Sequence, residues 1–276
     1  MKITFIGGGN MASALISGML KQGYSVGQIG VVEINEDARA KIKTMFGITA
    51  VANLVDALSS SRQSDKTDVV VLAVKPQQLY ELAQQIKVLL NHHLVITIAA
   101  GIRATDLMRW LGSYQRIIRA MPNTPSLVGA GVTGLYAVPA VAEQDRRLAE
   151  SIMKAVGTIL WVGDEDMLHT VTAISGSGPA YVFYFIESMQ AAGIKLGLSK
   201  EEARELALQT FQGAIKLASE GGEDVAVLRA KVTSKGGTTQ RAIETMDADD
   251  VKNRIIAAVF AANARSREMS EEFGKL

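Results

Sequence analysis

Two glycine-containing stretches carry residue types whose spacing could do chemistry. The first, Gly7-Gly8-Gly9-Asn10-Met11-Ala12, follows the apolar run Lys2–Ile6 and precedes a helical pattern that continues to about Leu20. It reads as G-x-G-x-x-A, a variant of the dinucleotide fingerprint. Gly7 allows a tight turn, Gly9 lets bare backbone approach a pyrophosphate, and Ala12 lets a helix pack on the strand. The helix start at Asn10, Met11 and Ala12 offers free N–H groups and the positive dipole end to phosphates. The second stretch is Ser234-Lys235-Gly236-Gly237-Thr238-Thr239. Amides of Gly236, Gly237 and Thr238 at a helix start can hold an anion without any arginine, with Ser234 and Thr239 hydroxyls as directed donors. Taken alone, it is equally a turn with a threonine cap.

A third candidate is Glu33, which ends a second apolar run and lies 26 residues past Gly7 (33 minus 7). That is near the spacing of the acid that accepts hydrogen bonds from an adenosine ribose. A carboxylate there repels a 2′-phosphate, which leans towards NADH. Arg39, Lys41 and Lys43 follow closely and leave NADPH open, although they also read as the exposed face of a helix.

The elements that must position these residues fall into two regimes. Up to about residue 163, β-branched runs recur at Lys2–Ile6, Ile29–Glu33, Val69–Ala73, Leu94–Ala99, Arg116–Arg119 and Ile159–Val162, with amphipathic stretches such as Gln77–Leu90 and Val141–Val156 between them. That rhythm predicts βαβ units and a mostly parallel sheet, and runs that are continuous rather than alternating predict cover on both faces. Ser59–Lys66 reads as an exposed polar loop. After Gly163 only helices are expected. One opens at Ser177-Gly178-Pro179 with Ser or Gly as its cap. Another has the capping-box spacing Ser199 to Glu202 and ends near Glu220. Shorter ones cover Val225–Ala230 and Thr238–Met246, and a last helix begins near Asp249-Asp250. The expected architecture is a Rossmann-type α/β domain over 1–163 and an all-α domain over 164–276, a helical bundle that dimerises and binds substrate.

Composition removes several classes of function. Lys plus Arg is 29 against 28 Asp plus Glu, a net charge of +1, so no field for nucleic-acid binding exists. Apolar residues make up 48%, enough for a sizeable core. There is no cysteine, which excludes disulfides, thiolate metal sites and a cysteine nucleophile. The longest apolar run, near Ile255, falls well short of the roughly 18 residues of a membrane span. The opening run meets glycines at once, so no export signal and a cytoplasmic location are expected. Of the three histidines, His92 and His93 read as a surface turn and His169 as a junction; none is expected in catalysis, and no metal is expected.

Further segments end strands or open helices: Leu72-Ala73-Val74-Lys75-Pro76-Gln77, Ala99-Ala100-Gly101-Ile102, Arg119-Ala120-Met121-Pro122-Asn123-Thr124-Pro125, Ile174–Tyr181 and Leu228–Thr239. Together with the first glycine loop they resemble pyrroline-5-carboxylate reductase, over essentially the whole chain. The most specific match is Val232–Thr239, and one departure is visible: Lys235 stands where the family usually has proline. The resemblance implies reduction of the cyclic imine Δ1-pyrroline-5-carboxylate to L-proline with NADPH or NADH. It implies that Gly7, Gly9, Asn10, Met11 and Ala12 hold the pyrophosphate and that Asn53 contacts the adenosine side. Ala73, Val74, Lys75, Ala100 and Gly101 then line the nicotinamide side, with Met121 and Asn123 flanking it. Ser234, Gly236, Gly237, Thr238 and Thr239 clamp the substrate, with Thr239 and Ser234 as the catalytic residues. It also implies a homodimer, often assembled as a pentamer of dimers.

An imine suits a chain without a His–Asp pair, because its nitrogen can be protonated before hydride arrives. Two other readings compete. A β-hydroxyacid dehydrogenase needs a general base, usually a lysine on the interdomain helix, yet after Gly176-Ser177-Gly178-Pro179 no lysine follows until Lys195. A non-catalytic dinucleotide sensor would not need the Ser234–Thr239 cluster.

Overall fold

The computed structural model describes residues 1–58 and 68–276; the loop expected over Ser59–Lys66 lies outside the described residues. Among the described residues seven strands form one sheet: β1 (Ile3–Ile6), β2 (Ile29–Val32), β3 (Val69–Leu72), β4 (Leu94–Thr97), β5 (Ile117–Met121), β6 (Gly131–Ala137) and β7 (Gly157–Trp161). Their spatial order is β2-β1-β3-β4-β5-β6-β7. The first five strands run parallel, β6 is antiparallel to β5, and β7 is parallel to β6. The helices between them are α1 (Asn10–Lys21), α2 (Glu36–Phe46), α3 (Leu54–Leu58), α4 (Pro76–Ile86), α5 (Ala104–Trp110) and α6 (Glu143–Met153). Ile3, Phe5, Val69–Leu72 and Leu94–Ile96 are all fully buried, as the continuous apolar runs require of strands covered on both faces.

β6 is the strand that sequence reading does not supply. Its glycines, poor strand formers, are fixed by neighbours. A Cβ on Gly131 would lie 2.1 Å from Ser126 Oγ, and one on Gly134 would lie 2.7 Å from Val171 Cγ1. The expected surface turn at His92-His93 is also corrected. His92 is exposed, but His93 is buried, its Nδ1 accepting from the Asn91 amide at 3.3 Å while its Nε2 has no partner among the described residues.

After β7 the chain is helical: α7 (Met167–Val171), a π-helical turn Thr172–Gly176, then α8 (Gly178–Lys195), α9 (Lys200–Glu220), α10 (Val225–Lys231), α11 (Thr238–Ala248) and α12 (Val251–Gly274). Ser177 does not cap α8 from a loop. It is itself helical (φ −87°, ψ −23°), and its amide reaches Thr172 O at 2.8 Å. The capping box at Ser199 and Glu202 is present, with both reciprocal bonds formed.

The backbone separates into two compact units, 1–177 with 262–276, and 178–261. This division of backbone contacts is distinct from the functional division expected at 163/164. Leu168, His169 and Ala173 are buried within the first unit, and the end of α12 belongs to it: Ser266 Oγ meets His169 Nδ1 at 2.8 Å. In the second unit α9 buries Ala203 and Ala207, and a Cβ on Gly193 of α8 would lie 3.1 Å from the Ala203 Cβ, so small residues let these helices approach.

Candidate active site

The strand order changes direction between β1 and β3, and open α/β sheets bind ligands beyond the carboxyl ends of strands at such a point. Three chain segments meet there. Gly7 N donates to Val32 O and Ala73 N donates to Ile6 O, both at 2.8 Å. Gly7 has φ +101°, and a Cβ on it would lie 2.6 Å from Ala73 O, so only glycine fits. Gly9 caps α1 with no side-chain hydrogen bond, and nothing lies within 4 Å of where its Cβ would stand. Exposed Asn10 and part-exposed Met11 begin the helix, no acid occupies its first turn, and Ala12 is buried beneath. The space over Gly9 and the open amides of this helix start therefore fit a pyrophosphate.

Glu33 stands just beyond β2. Its Oε2 accepts from Gly8 N at 2.8 Å and its Oε1 from Asn35 N at 2.9 Å, which ties the acid to the glycine loop. Asn53 is exposed, its Oδ1 accepting from Val55 N at 2.9 Å at the start of α3. Ala73 and Val74 follow β3, and exposed Lys75 precedes Pro76, the first residue of α4. Ala100 is half-buried. Gly101 (φ +75°) is buried, and a Cβ there would lie 3.3 Å from Met269 Cβ and 3.4 Å from the Phe273 ring, so its bare backbone makes room for the end of α12.

Met121 and Asn123 lie beyond β5. Met121 Cε lies 2.8 Å from where a Cβ on Gly176 would stand. Buried Asn123 is held at both ends of its amide, donating to Ser175 O at 3.0 Å and accepting from Val132 N at 2.9 Å. The first bond answers a deficit written into the sequence. Pro179, four residues after Ser175, has no N–H to donate to that carbonyl, and the helix widens into the π turn at this point.

Sequence reasoning misses an ion pair at this end of the sheet. Arg119, buried in β5, donates to Glu165 Oε1 at 2.5 Å, and the same oxygen accepts from Ala104 N at 2.5 Å. Burial pulls the Arg119 guanidinium below its ordinary pKa, while Glu165 pushes it up. The pair fixes the start of α5 to the turn before α7. Its only signal in the sequence is a lone arginine inside an apolar strand.

The second glycine cluster lies in the other unit. Gly236 (φ +73°) and Gly237 lead into α11, which Gly237 caps without a side-chain bond. Ser234, Lys235, Thr238 and Thr239 are exposed. Two of the amides expected to face an anion are already used: Gly236 N donates to Gln240 Oε1 at 2.6 Å, and Gly237 N donates to Ser234 O at 3.1 Å. The amides of Thr238 and Thr239 have no acceptor within the helix, as in any first helical turn. A Cβ on Gly237 would lie 2.6 Å from Ser234 Oγ, so the glycine keeps that hydroxyl in place. Among the described residues no group of three His, Asp or Glu side chains converges as a metal site would, and no helix is long and apolar enough to cross a membrane.

A glycine turn at the switch point of a doubly wound sheet, with an acid ending the second strand, defines a dinucleotide-binding protein of the oxidoreductase type. Residues 2–101 match a family model described as NADP oxidoreductase, coenzyme F420-dependent, and residues 165–269 match one described as pyrroline-5-carboxylate reductase dimerisation. The chain is 43% identical over 273 residues to a pyrroline-5-carboxylate reductase of Haemophilus influenzae, covering 98% of each. It is 41% identical over 275 residues to that of Pseudomonas aeruginosa, covering 99% of this chain and 98% of the relative. Among solved structures, a pyrroline-5-carboxylate reductase from Coxiella burnetii superposes with a TM-score of 0.89 at 42% identity, covering 98% of each chain. A Plasmodium falciparum pyrroline carboxylate reductase with NADP bound gives a TM-score of 0.86 at 30% identity, again with 98% coverage of each. The chain belongs to the pyrroline-5-carboxylate reductase family.

Proposed function

We propose that this chain reduces Δ1-pyrroline-5-carboxylate to L-proline at the expense of NADPH or NADH. The observation that carries this reading is the Gly7–Ala12 turn at the β1/β3 switch point, in a chain 43% identical to a pyrroline-5-carboxylate reductase over 98% of its length. A bound nicotinamide supplies the hydride. The Gly7–Ala12 turn holds the pyrophosphate by main-chain amides, Glu33 and Asn53 serve the adenosine side, and Ala73, Val74, Lys75, Ala100, Gly101 and Met121 shape the nicotinamide side. Asn123 acts on that side through the backbone it holds at Ser175 and Val132.

The substrate carboxylate is an anion, and the start of α11 supplies amide N–H groups and hydroxyls to it, while Arg241, the fourth residue of the helix, pairs with Glu244 at 3.7 Å. Thr238 and Thr239 amides and the Ser234 hydroxyl bind it, with Gly236 and Gly237 shaping the turn, and the Thr239 hydroxyl faces the ring nitrogen. Exposed Lys235 adds a positive charge beside this anion site. Once that nitrogen is protonated the ring carbon is electrophilic, so the chain must align the reactants and exclude water rather than supply a strong base. Residues 1–163 form the dinucleotide-binding part and 164–276 the part that dimerises and binds substrate. The chain works in the cytoplasm as a homodimer, which further assembles as a pentamer of dimers.

The test is to mix the chain with the imine and each nicotinamide, follow the loss of reduced-nicotinamide absorbance, and identify proline by mass spectrometry. Turnover of a β-hydroxyacid in place of the imine refutes the proposal in favour of a dehydrogenase. Nicotinamide binding with turnover of neither refutes it in favour of a sensor.

A further inference from the structure

We infer that this chain selects NADH over NADPH and that Glu33 makes the selection; the inference rests on the Gly7–Ala12 turn being the dinucleotide site. An acid at the end of the second strand discriminates only if it cannot turn away when a 2′-phosphate arrives. Glu33 cannot. Its two carboxylate oxygens accept from two different backbone amides, Oε2 from Gly8 at 2.8 Å and Oε1 from Asn35 at 2.9 Å. These amides belong to the glycine loop and to the turn before α2, so rotating the carboxylate would strand both donors. The glycine loop sits close against both the acid and α2: a Cβ on Gly8 would lie 2.5 Å from Ile42 Cδ1 and 3.3 Å from Glu33 Oε2. Each carboxylate oxygen has room for a second donor, and the free ribose hydroxyls of NADH bring donors. The 2′-phosphate of NADPH brings acceptors and negative charge only.

The nearby cations are already bonded to other oxygens of the chain or stand farther along α2. Arg39 Nη1 donates to Glu33 O at 3.0 Å and to Ile34 O at 2.8 Å, which fastens the guanidinium to the end of the strand. Lys43 Nζ donates to Thr49 Oγ1 at 2.8 Å and Gly47 O at 3.3 Å, at the far end of α2. Lys41 is exposed about 7–8 Å along the helix from its first residue. The start of α2, where a phosphate would look for amides, instead carries Glu36 and Asp37, and Asn35 Oδ1 already accepts from Ala38 N at 2.9 Å. Glu33 and the first-turn acids Glu36 and Asp37 thus put three carboxylates within five residues at the junction of β2 and α2.

The experiment is direct titration of the full-length chain with NADH and with NADPH, without substrate, read by nicotinamide fluorescence or calorimetry at two salt concentrations. NADH is expected to bind about tenfold or more tightly than NADPH at low salt. The gap should narrow as salt rises, because salt screens a repulsion. Glu33→Gln keeps an acceptor and removes the charge, so its NADPH affinity should rise by more than its NADH affinity falls. NADPH binding as tightly as NADH, or a preference for NADH that widens with salt, overturns the inference, and neither result needs the variant to fold. A folded Glu33→Gln with an unchanged ratio also overturns it. Failure of both nucleotides to bind instead overturns the placement of the dinucleotide site itself.

Discussion

Replacing Asn123 by alanine removes one side chain and breaks two ties between distant parts of the chain. The amide donates to Ser175 O at 3.0 Å and accepts from Val132 N at 2.9 Å, from a residue that is only 8% exposed. Each buried hydrogen bond is worth about 1 kcal/mol net, and a partner left dry costs about 1–3 kcal/mol. Val132 is on the surface side and its amide can be rehydrated. The Ser175 carbonyl loses its tie to the side chain, and Pro179, four residues on, has no N–H to offer in its place. The sum is a loss of about 2–3 kcal/mol, or roughly 5–10 °C in Tm for a chain of this size. Asn123→Asp separates the two bonds: it still accepts from Val132 N but sets an anion against the Ser175 carbonyl, and should be at least as destabilising as alanine. Thermal and urea melts at one fixed protein concentration measure both variants. An Asn123→Ala protein within about 0.5 kcal/mol of the parent, the range of an ordinary surface change, would show that the side chain does not support the π turn.

Thr239→Ala should lower turnover of the imine by about tenfold or more, the value of one hydrogen bond made to the reacting nitrogen, while NADH affinity measured by fluorescence stays level. Gly7→Ala should abolish nucleotide binding or folding, since the new Cβ would lie 2.6 Å from Ala73 O at φ +101°; an alanine protein that binds NADH normally refutes the account of the turn. Glu165→Ala should cost about 3 kcal/mol by leaving buried Arg119 unpaired, and Arg119→Met in the same chain should recover much of it in a denaturant melt. Burial lowers the His93 pKa to about 4 from 6.5. The unfolded chain therefore takes up a proton that the folded chain refuses between those values, and stability should fall as pH drops through that window. His93→Gln should flatten that slope, and an unaltered slope would assign the acid sensitivity elsewhere.

The glycine loop was legible in the sequence because its demands are local. A positive φ at Gly7 and a small residue at Ala12 act within one turn of chain, and the β-branched runs mark the first five strands for the same reason. β6 was not legible, because Gly131 and Gly134 answer to Ser126 and Val171, which only the folded chain brings near. The bonds of Asn123 to Val132 and Ser175, and of Arg119 to Glu165, are likewise invisible to any window of sequence. The buried state of His93 is less plain in the sequence, because the residue falls between exposed His92 and buried Leu94, the first of β4. The return of residues 262–276 to the first unit is a tertiary fact that no change in composition announces.

In this structure Gly236 N is occupied by the Gln240 amide oxygen at 2.6 Å. A carboxylate seated on the Thr238 and Thr239 amides that reached further, to this one, would not fill an empty place; it would evict a resident. Its gain there is the difference between two hydrogen bonds, and on departure the glutamine returns at once because it never leaves its own helix. Such an exchange costs the ligand grip and gives it a short stay, which suits a step whose product differs from its reactant by only two hydrogens on the same ring.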